Sequence, residues 1–166
     1  MYWILLIAGL IGLDQWTKWF FLVNKDNFKD FEIIKGFFYL TYVENRGAAF
    51  GILQNFRWFF IILTVIALAV MVWYFIKNQN KMLRLSLSFI MAGAVGNFID
   101  RLFRGFVVDF FDFYPFGYNF PVFNVADICV NIGVFFLLIY VLFIYKEQEE
   151  DKVSEDTQEV SGSDEK

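Results

Sequence analysis

The chain is 166 residues long, and 58% of these residues are hydrophobic while 19% are charged. This composition is too apolar for an ordinary water-soluble domain, so we predict one membrane-embedded domain with about four spanning helices of ~20 residues each. The net charge is −4, and with no histidine and one cysteine (Cys129) the chain can form neither an internal disulfide nor a His-dependent triad nor a Cys/His zinc site.

The first predicted span covers residues 2–23 and is interrupted by Asp14, Gln15 and Lys18. It lacks the basic start and the small-residue cleavage site of a secretory signal peptide, so we expect it to be retained. Asp14 and Lys18 are four residues apart and fall on one helical face, where an ion pair would lower the cost of both charges. We therefore expect a polar stripe that faces other helices.

A loop rich in aromatic and β-branched residues follows, at about residues 25–56. Two segments, 31–34 and 37–43, read as short strands around a turn at Gly36. The loop ends in the small residues of Asn45-Arg46-Gly47-Ala48-Ala49-Phe50-Gly51, which permit close backbone approach.

Three further spans are predicted at about residues 58–76, 85–103 and 127–145. Small residues at 92–96 should let a neighbouring helix approach the third span closely. With four spans, the first and third loops lie on one side of the membrane, and both termini lie on the other. Lysine and arginine counts do not decide which side is cytoplasmic.

The last twenty residues, 147–166, contain nine acids and two lysines and almost no apolar side chains. Such a segment cannot bury enough apolar surface to fold, so we expect a disordered, solvated tail outside the membrane domain of residues 1–146.

The residues most suggestive of chemistry are Asp109 and Asp127, two acids set in apolar sequence. The topology places both at the same side of the membrane, and two converging carboxylates would share a proton and could activate a water. Taken alone, Asp127 is better explained as a helix-start acid that forms a capping box with Asn124. Asp112 is more simply a solvated acid. We expect no metal and no cofactor.

Residues alone leave three interpretations open: an intramembrane aspartic peptidase, a small proton-coupled carrier, and a non-enzymatic assembly factor whose polar residues join helices. A carrier should hold its acids near the middle of the membrane and often contains internal repeats. Here the acids cluster at one interface and no repeat is evident, which favours the peptidase.

Four sequence blocks resemble the motifs of bacterial lipoprotein signal peptidase (signal peptidase II), a family of membrane aspartic endopeptidases. The blocks are residues 45–51, Gly96-Asn97-Phe98-Ile99-Asp100-Arg101, Val107-Val108-Asp109-Phe110 and Phe123-Asn124-Val125-Ala126-Asp127. Their order, the four spans and the upstream Asp14 and Lys18 match as well. The resemblance covers about Met1 to Tyr145.

The resemblance implies a mainly α, polytopic fold with four transmembrane helices, a small extracytoplasmic β-cradle and a second outer loop. It implies removal of the signal peptide from diacylglyceryl-modified prolipoproteins, with Asp109 and Asp127 as the catalytic dyad. Residues that would bind substrate or support the site are Asn45, Arg46, Gly47, Asn97, Arg101, Asn124 and Ala126, and Asp14, Lys18 and Asp100 would be structural.

The same resemblance implies a bacterial cytoplasmic (inner) membrane location with both termini inside and the active site near the outer interface. The implied partners are prolipoproteins, membrane lipids and a cyclic peptide inhibitor such as globomycin. No nucleic acid is expected.

Overall fold

A computed structural model describes residues 2–29, 31–47 and 53–145. Four long helices dominate this part of the chain: α1 (Tyr2–Val23), α2 (Arg57–Lys77), α3 (Lys81–Phe103) and α4 (Val125–Ile139), which continues as a π-helical segment over Tyr140–Tyr145. All four are long and apolar enough to cross a membrane, α4 together with its continuation. The predicted tail and residues 48–51 of the first sequence block lie outside the described residues.

The helix bundle is centred on α3, which has the largest buried share of the four and packs against all three others. Close contact with α4 depends on glycine, because a Cβ at Gly93 would collide with the backbone carbonyl of Ala126. A Cβ at Gly133 would likewise meet the backbone of α3 at Ile90. The expectation that small residues allow a close neighbour is confirmed.

The start of α3 differs from the sequence prediction by four residues. The helix begins at Lys81 rather than at residue 85, because Asn80 caps it. The Asn80 side chain accepts hydrogen bonds from the backbone N–H groups of Met82 (2.9 Å) and Leu83 (3.2 Å). The cap satisfies two of the backbone donors that a helix start leaves free.

A three-stranded antiparallel sheet forms from β1 (Phe31–Ile34), β2 (Phe38–Asn45) and β3 (Val107–Phe113), in that spatial order. The predicted hairpin around Gly36 is confirmed, and Gly36 has the positive φ of +67° that such a turn requires. β3 follows α3 directly and pairs with β2, so the loop after α1 is joined to the loop before α4. This pairing positions the residues of the candidate site.

The predicted fold class, mainly helical with four spans and a small β element, is therefore confirmed. One face of the sheet packs against the end of α1, where the ring of Phe21 stacks on Phe110 at 4.1 Å between centroids. Val108 completes this small core and is fully buried. The sheet is thus fixed to the helix bundle beside the start of α4.

Candidate active site

Asp109 lies at the centre of β3, opposite Val43 of β2, and only 2% of its surface is exposed. Its Oδ2 accepts a hydrogen bond of 2.9 Å from the side-chain amide of Asn45, at the end of β2. The Asn45 carbonyl oxygen accepts from the backbone N–H of Gly47 at 2.9 Å, which fixes the orientation of the amide. The sheet register therefore supplies one donor to this carboxylate.

A second donor to Asp109 comes from Asn124, the residue that caps α4. Its side-chain amide donates to Oδ1 of Asp109 at 2.5 Å, and its carbonyl oxygen accepts from the backbone N–H of Asp127 at 3.1 Å. The Asp127 carboxylate returns a capping-box contact by accepting from the backbone N–H of Asn124 at 3.1 Å. The predicted cap is present, and the same side chain also contacts the other acid.

Asn97 of α3 completes the connection between the two acids. Its amide nitrogen donates to Oδ1 of Asp127 at 2.8 Å, while its carbonyl oxygen accepts from the amide of Asn124 at 3.2 Å. Asp109, Asn124, Asn97 and Asp127 therefore form one continuous hydrogen-bonded chain. The structure brings together the two acids and all three asparagines that the sequence singled out.

Beneath this chain lies a buried cluster of charged side chains. The ammonium group of Lys18 is 2.9 Å from Asp14 and 3.4 Å from Asp100, and all three side chains are at most 1% exposed. The pairing of Asp14 with Lys18 is the one predicted from their spacing. Asp100 also pairs with Arg104, a partner that the sequence analysis did not identify.

These acids also hold backbone groups of the site's neighbouring elements. Asp14 accepts from the backbone N–H of Ala126 at 2.8 Å, at the start of α4, and Asp100 accepts from that of Val108 at 3.0 Å, in β3. Ala126 itself is fully buried. The cluster thus attaches α1 and α3 to the two segments that carry Asp109 and Asp127.

The remaining predicted residues separate into two kinds. Arg101 faces the site: its guanidinium donates to the backbone carbonyl of Gly47 at 3.0 Å and lies 4.8 Å from the ring centroid of Phe60. Arg46 is exposed instead and pairs with Glu44 at 3.0 Å. It is not among the described residues that line the cavity beside the acids.

That cavity has a volume of about 770 Å³ and contains both acids. Its polar lining includes Asn45, Asn97 and Arg101, and apolar side chains of the segment before α4 and of α4 itself form much of the rest, among them Phe120, Pro121, Val122, Phe123, Ile128 and Ile132. Such a mostly apolar cleft with a few convergent polar groups is the usual form of a substrate site. Among the described residues, no group of three or more potential metal ligands is present.

The electrostatics of the cleft distinguish Asp109. Burial, assisted by the negative charge of Asp127, raises the pKa of Asp109 to about 7. The amide donors from Asn45 and Asn124 act in the opposite direction, because they stabilise the ionised form. A carboxylic acid with this pKa can hold or release a proton near neutral pH.

Asp112 differs from the expectation of a solvated acid. It is buried at 6% exposure, since β3 pairs it with Tyr39 and the hydroxyl of Tyr114 donates to its carboxylate at 3.2 Å. It lines a separate, smaller cavity of about 230 Å³ rather than the one that holds Asp109 and Asp127.

Three polar residues of the large cavity were missed by the sequence analysis, Glu44, Gln54 and Asn131. Asn131 could have been found, because it follows Asp127 by four residues and so falls on the same face of α4. Gln54 lies in a connecting segment with no periodic signal.

Comparison with known proteins places this geometry among membrane enzymes. The family profile described as signal peptidase (SPase) II matches residues 6–143. The chain is 45% identical to a lipoprotein signal peptidase of Symbiobacterium thermophilum over 143 residues, which is 85% of this chain and 94% of that protein.

Two solved structures, both described as bacterial membrane enzymes, have the same fold. The first has a TM-score of 0.79 at 41% identity, and the match covers 85% of this chain and 87% of the chain in that structure. The second has a TM-score of 0.78 at 41% identity, and the match covers 86% of this chain and 94% of the chain in that structure.

Proposed function

Since the chain belongs to the signal peptidase (SPase) II family and is a multi-pass membrane peptidase, we propose that it removes the signal peptide from diacylglyceryl-modified prolipoproteins. The observation that carries the proposal is the hydrogen-bonded chain that joins Asp109 to Asp127 inside one apolar cleft. Family membership sets aside the carrier and the assembly factor.

In this mechanism the two acids activate a water for attack on the scissile carbonyl carbon. Asp127 acts as the ionised acid and takes a proton from the water as the new C–O bond forms. Protonated Asp109 hydrogen-bonds the carbonyl oxygen, which becomes negative in the tetrahedral intermediate. When the C–N bond breaks, the proton held by Asp127 passes to the leaving amine of the lipid-modified cysteine.

The different surroundings of the two acids support this division of roles. Asp109 is the more buried, and its pKa of about 7 favours a protonated acid below neutral pH. Asp127 lies in the first turn of α4, where the helix dipole and the N–H of Asn124 stabilise an anion. Two acids in different environments are a recurring basis for dividing the roles of general acid and general base.

The neighbouring polar residues serve as positioning groups in this proposal. Asn45 and Asn124 hold the Asp109 carboxyl from two sides, and Asn97 holds Asp127. Arg101 fixes the backbone at Gly47 and adds positive charge beside the cleft. Ala126, Asp14, Lys18 and Asp100 keep the start of α4 and β3 in place. We assign Arg46 a supporting role at the rim only.

We further propose that the sheet and the cleft face outward from a bacterial cytoplasmic membrane, with both termini and residues 147–166 in the cytoplasm. A substrate anchored by its acyl chains is confined to the membrane surface, where a cleft at the helix ends meets the scissile bond. A cyclic peptide inhibitor such as globomycin would bind across the same two acids.

The test is cleavage of a diacylglyceryl-modified prolipoprotein by the purified protein in detergent or lipid. We expect Asp109→Asn and Asp127→Asn each to abolish turnover while the protein stays folded. Asp26→Asn is the matched control, because Asp26 is exposed and outside the cleft. Substantial turnover by either cleft variant would overturn the dyad, and a wild-type protein without cleavage would overturn the function itself.

A further inference from the structure

Asn131 lies on the cleft side of α4, one helical turn beyond Asp127, and is exposed. Four residues of α-helix correspond to about 6 Å along the axis. Between Asp127 and the end of α4 at Ile139, the residues besides Asn131 and Cys129 are all glycine or have hydrocarbon side chains. A carboxamide in such a segment costs free energy unless its polar atoms are satisfied.

The contacts of Asn131 satisfy only part of its side chain. The amide nitrogen donates to the backbone carbonyl of Asp127 at 2.9 Å. This orientation follows from chemistry, because the opposite one would set two carbonyl oxygens against each other. Within the described part of the chain, the Asn131 carbonyl oxygen accepts no hydrogen bond, and the amide retains a second N–H.

Resting on the proposed function, we propose that Asn131 binds a backbone peptide group of the signal peptide, on the membrane side of the scissile bond. A peptide that enters a protease cleft from a membrane helix must leave the helical hydrogen-bond pattern where it crosses the catalytic acids. The freed N–H and C=O groups then lie in a setting with little water, where an unsatisfied backbone group is strongly unfavourable.

The available groups of Asn131 match that requirement. A peptide group presents one N–H and one C=O, and the carboxamide offers the complementary acceptor and donor. The ester groups of a diacylglyceryl moiety present acceptors only, and its acyl chains present neither. The free acceptor oxygen therefore selects a peptide N–H over the lipid.

The position of Asn131 along α4 also places it on the signal-peptide side of the scissile bond. Asp127 is at the start of the helix and Asn131 is one turn further into the span. The signal peptide spans the membrane, whereas the polypeptide that follows the lipid-modified cysteine lies outside it. Ile128 and Ile132 flank Asn131 in the cavity wall and would provide apolar contacts for the side chains of the signal peptide.

The experiment combines Asn131→Leu with a synthetic diacylglyceryl-cysteine substrate. In successive substrate versions, one backbone N–H among the three positions before the cysteine is replaced by an ester oxygen. We expect Asn131→Leu to lower kcat/KM about fivefold to tenfold, as for loss of one hydrogen bond. Relative to the unaltered substrate, we expect one ester version to lower the kcat/KM of the wild type by the same factor. For Asn131→Leu, that ester version and the unaltered substrate should give the same kcat/KM.

Thr64→Val is the matched control, because Thr64 also donates to the carbonyl four residues earlier in its span (2.7 Å to Phe60) but lies outside the cleft. It should retain wild-type kcat/KM with every substrate. Thermal unfolding of Asn131→Leu should match the wild type.

The proposal is overturned by a wild-type kcat/KM in Asn131→Leu, or by equal ester penalties in both enzymes. The proposal is also overturned if the wild type is an oligomer, Asn131→Leu is a monomer, and the ester substrates affect both enzymes equally. Asn131 would then join two copies of the protein. Failure of the wild type to cleave the unaltered substrate would instead overturn the proposed function.

Discussion

The ammonium group of Lys18 donates a hydrogen bond to the side-chain oxygen of Asn97 at 2.8 Å. Because that oxygen faces Lys18, the amide nitrogen of Asn97 must point the other way, toward Asp127. A buried cation in α1 thus determines which end of an amide in α3 meets an acid of α4. The charged cluster and the cleft are parts of one arrangement.

Replacement of Lys18 by Met should therefore affect both stability and activity. It leaves the buried carboxylates of Asp14 and Asp100 without their shared cation, and removal of one partner from a buried ion pair typically costs about 3–5 kcal/mol. Thermal unfolding in detergent would measure the loss. Lys29→Met is the control, since the Lys29–Asp26 pair is exposed. Equal melting temperatures for Lys18→Met and the wild type would contradict the structural role of the cluster.

The pH dependence of turnover should show a descending limb near pH 7. Activity requires a proton on Asp109 in the proposed mechanism, so it falls as pH rises through the pKa of that acid, which burial and Asp127 raise to about 7. Asn45→Ala removes a donor that favours the ionised form, so the pKa should rise and the limb should move to higher pH. The exposed Asn27→Ala serves as control. A shift to lower pH would contradict the assignment.

Folding stability should also depend on the ionisation of Asp109. Its pKa lies above the unfolded value, so the folded state holds the proton more tightly. The stability that this proton provides is fully present below about pH 4 and is lost as pH rises toward 7. We expect Asp109→Asn to reduce the pH dependence of the melting temperature in that range. An unchanged dependence would show that other groups determine it.

Gly96 should tolerate no side chain. A Cβ there would collide with the carboxylate of Asp14, which is held by Lys18 and by the backbone of Ala126 and cannot easily move. We expect Gly96→Ala to destabilise the protein by about 1–3 kcal/mol, the usual cost of overpacking. Gly9→Ala is the matched helical control, because open space surrounds Gly9. The comparison is made by thermal unfolding, and equal effects of the two variants would argue against the close packing.

Deletion of residues 147–166 should leave kcat/KM for the prolipoprotein nearly unchanged. This prediction comes from the composition of the segment, which has nine acids and too few apolar residues to form a core. The truncated and full-length proteins can be compared in the same cleavage assay. A large loss of rate would show that the segment takes part in substrate binding or catalysis.

Sequence patterns predicted the elements of this fold but only part of its site. Apolar runs indicated the spans, and the spacing of Asp14 and Lys18 indicated their ion pair. The capping box was visible in sequence as Asn124 followed three residues later by Asp127. The second contact of Asn124, with Asp109, depends on how β3 returns to the start of α4, which no local pattern encodes.

Burial of individual polar residues was equally difficult to foresee. Asp112 has the same local sequence character as an exposed strand acid, and its burial results from the pairing of β3 with β2. Arg104 lies four residues after Asp100 and could have been paired with it by helical spacing. Asn131 could likewise have been assigned to the face of Asp127, four residues earlier on the same helix.

The double use of Asn124 has a consequence for measurement. Fraying of the first turn of α4 would break the cap on Asp127 and remove the donor to Asp109 in the same event. In the proposed mechanism, local opening of this one turn would lower the fraction of molecules that are competent for catalysis. Hydrogen exchange at the backbone N–H of Asp127 would report how often this turn opens, without any substrate.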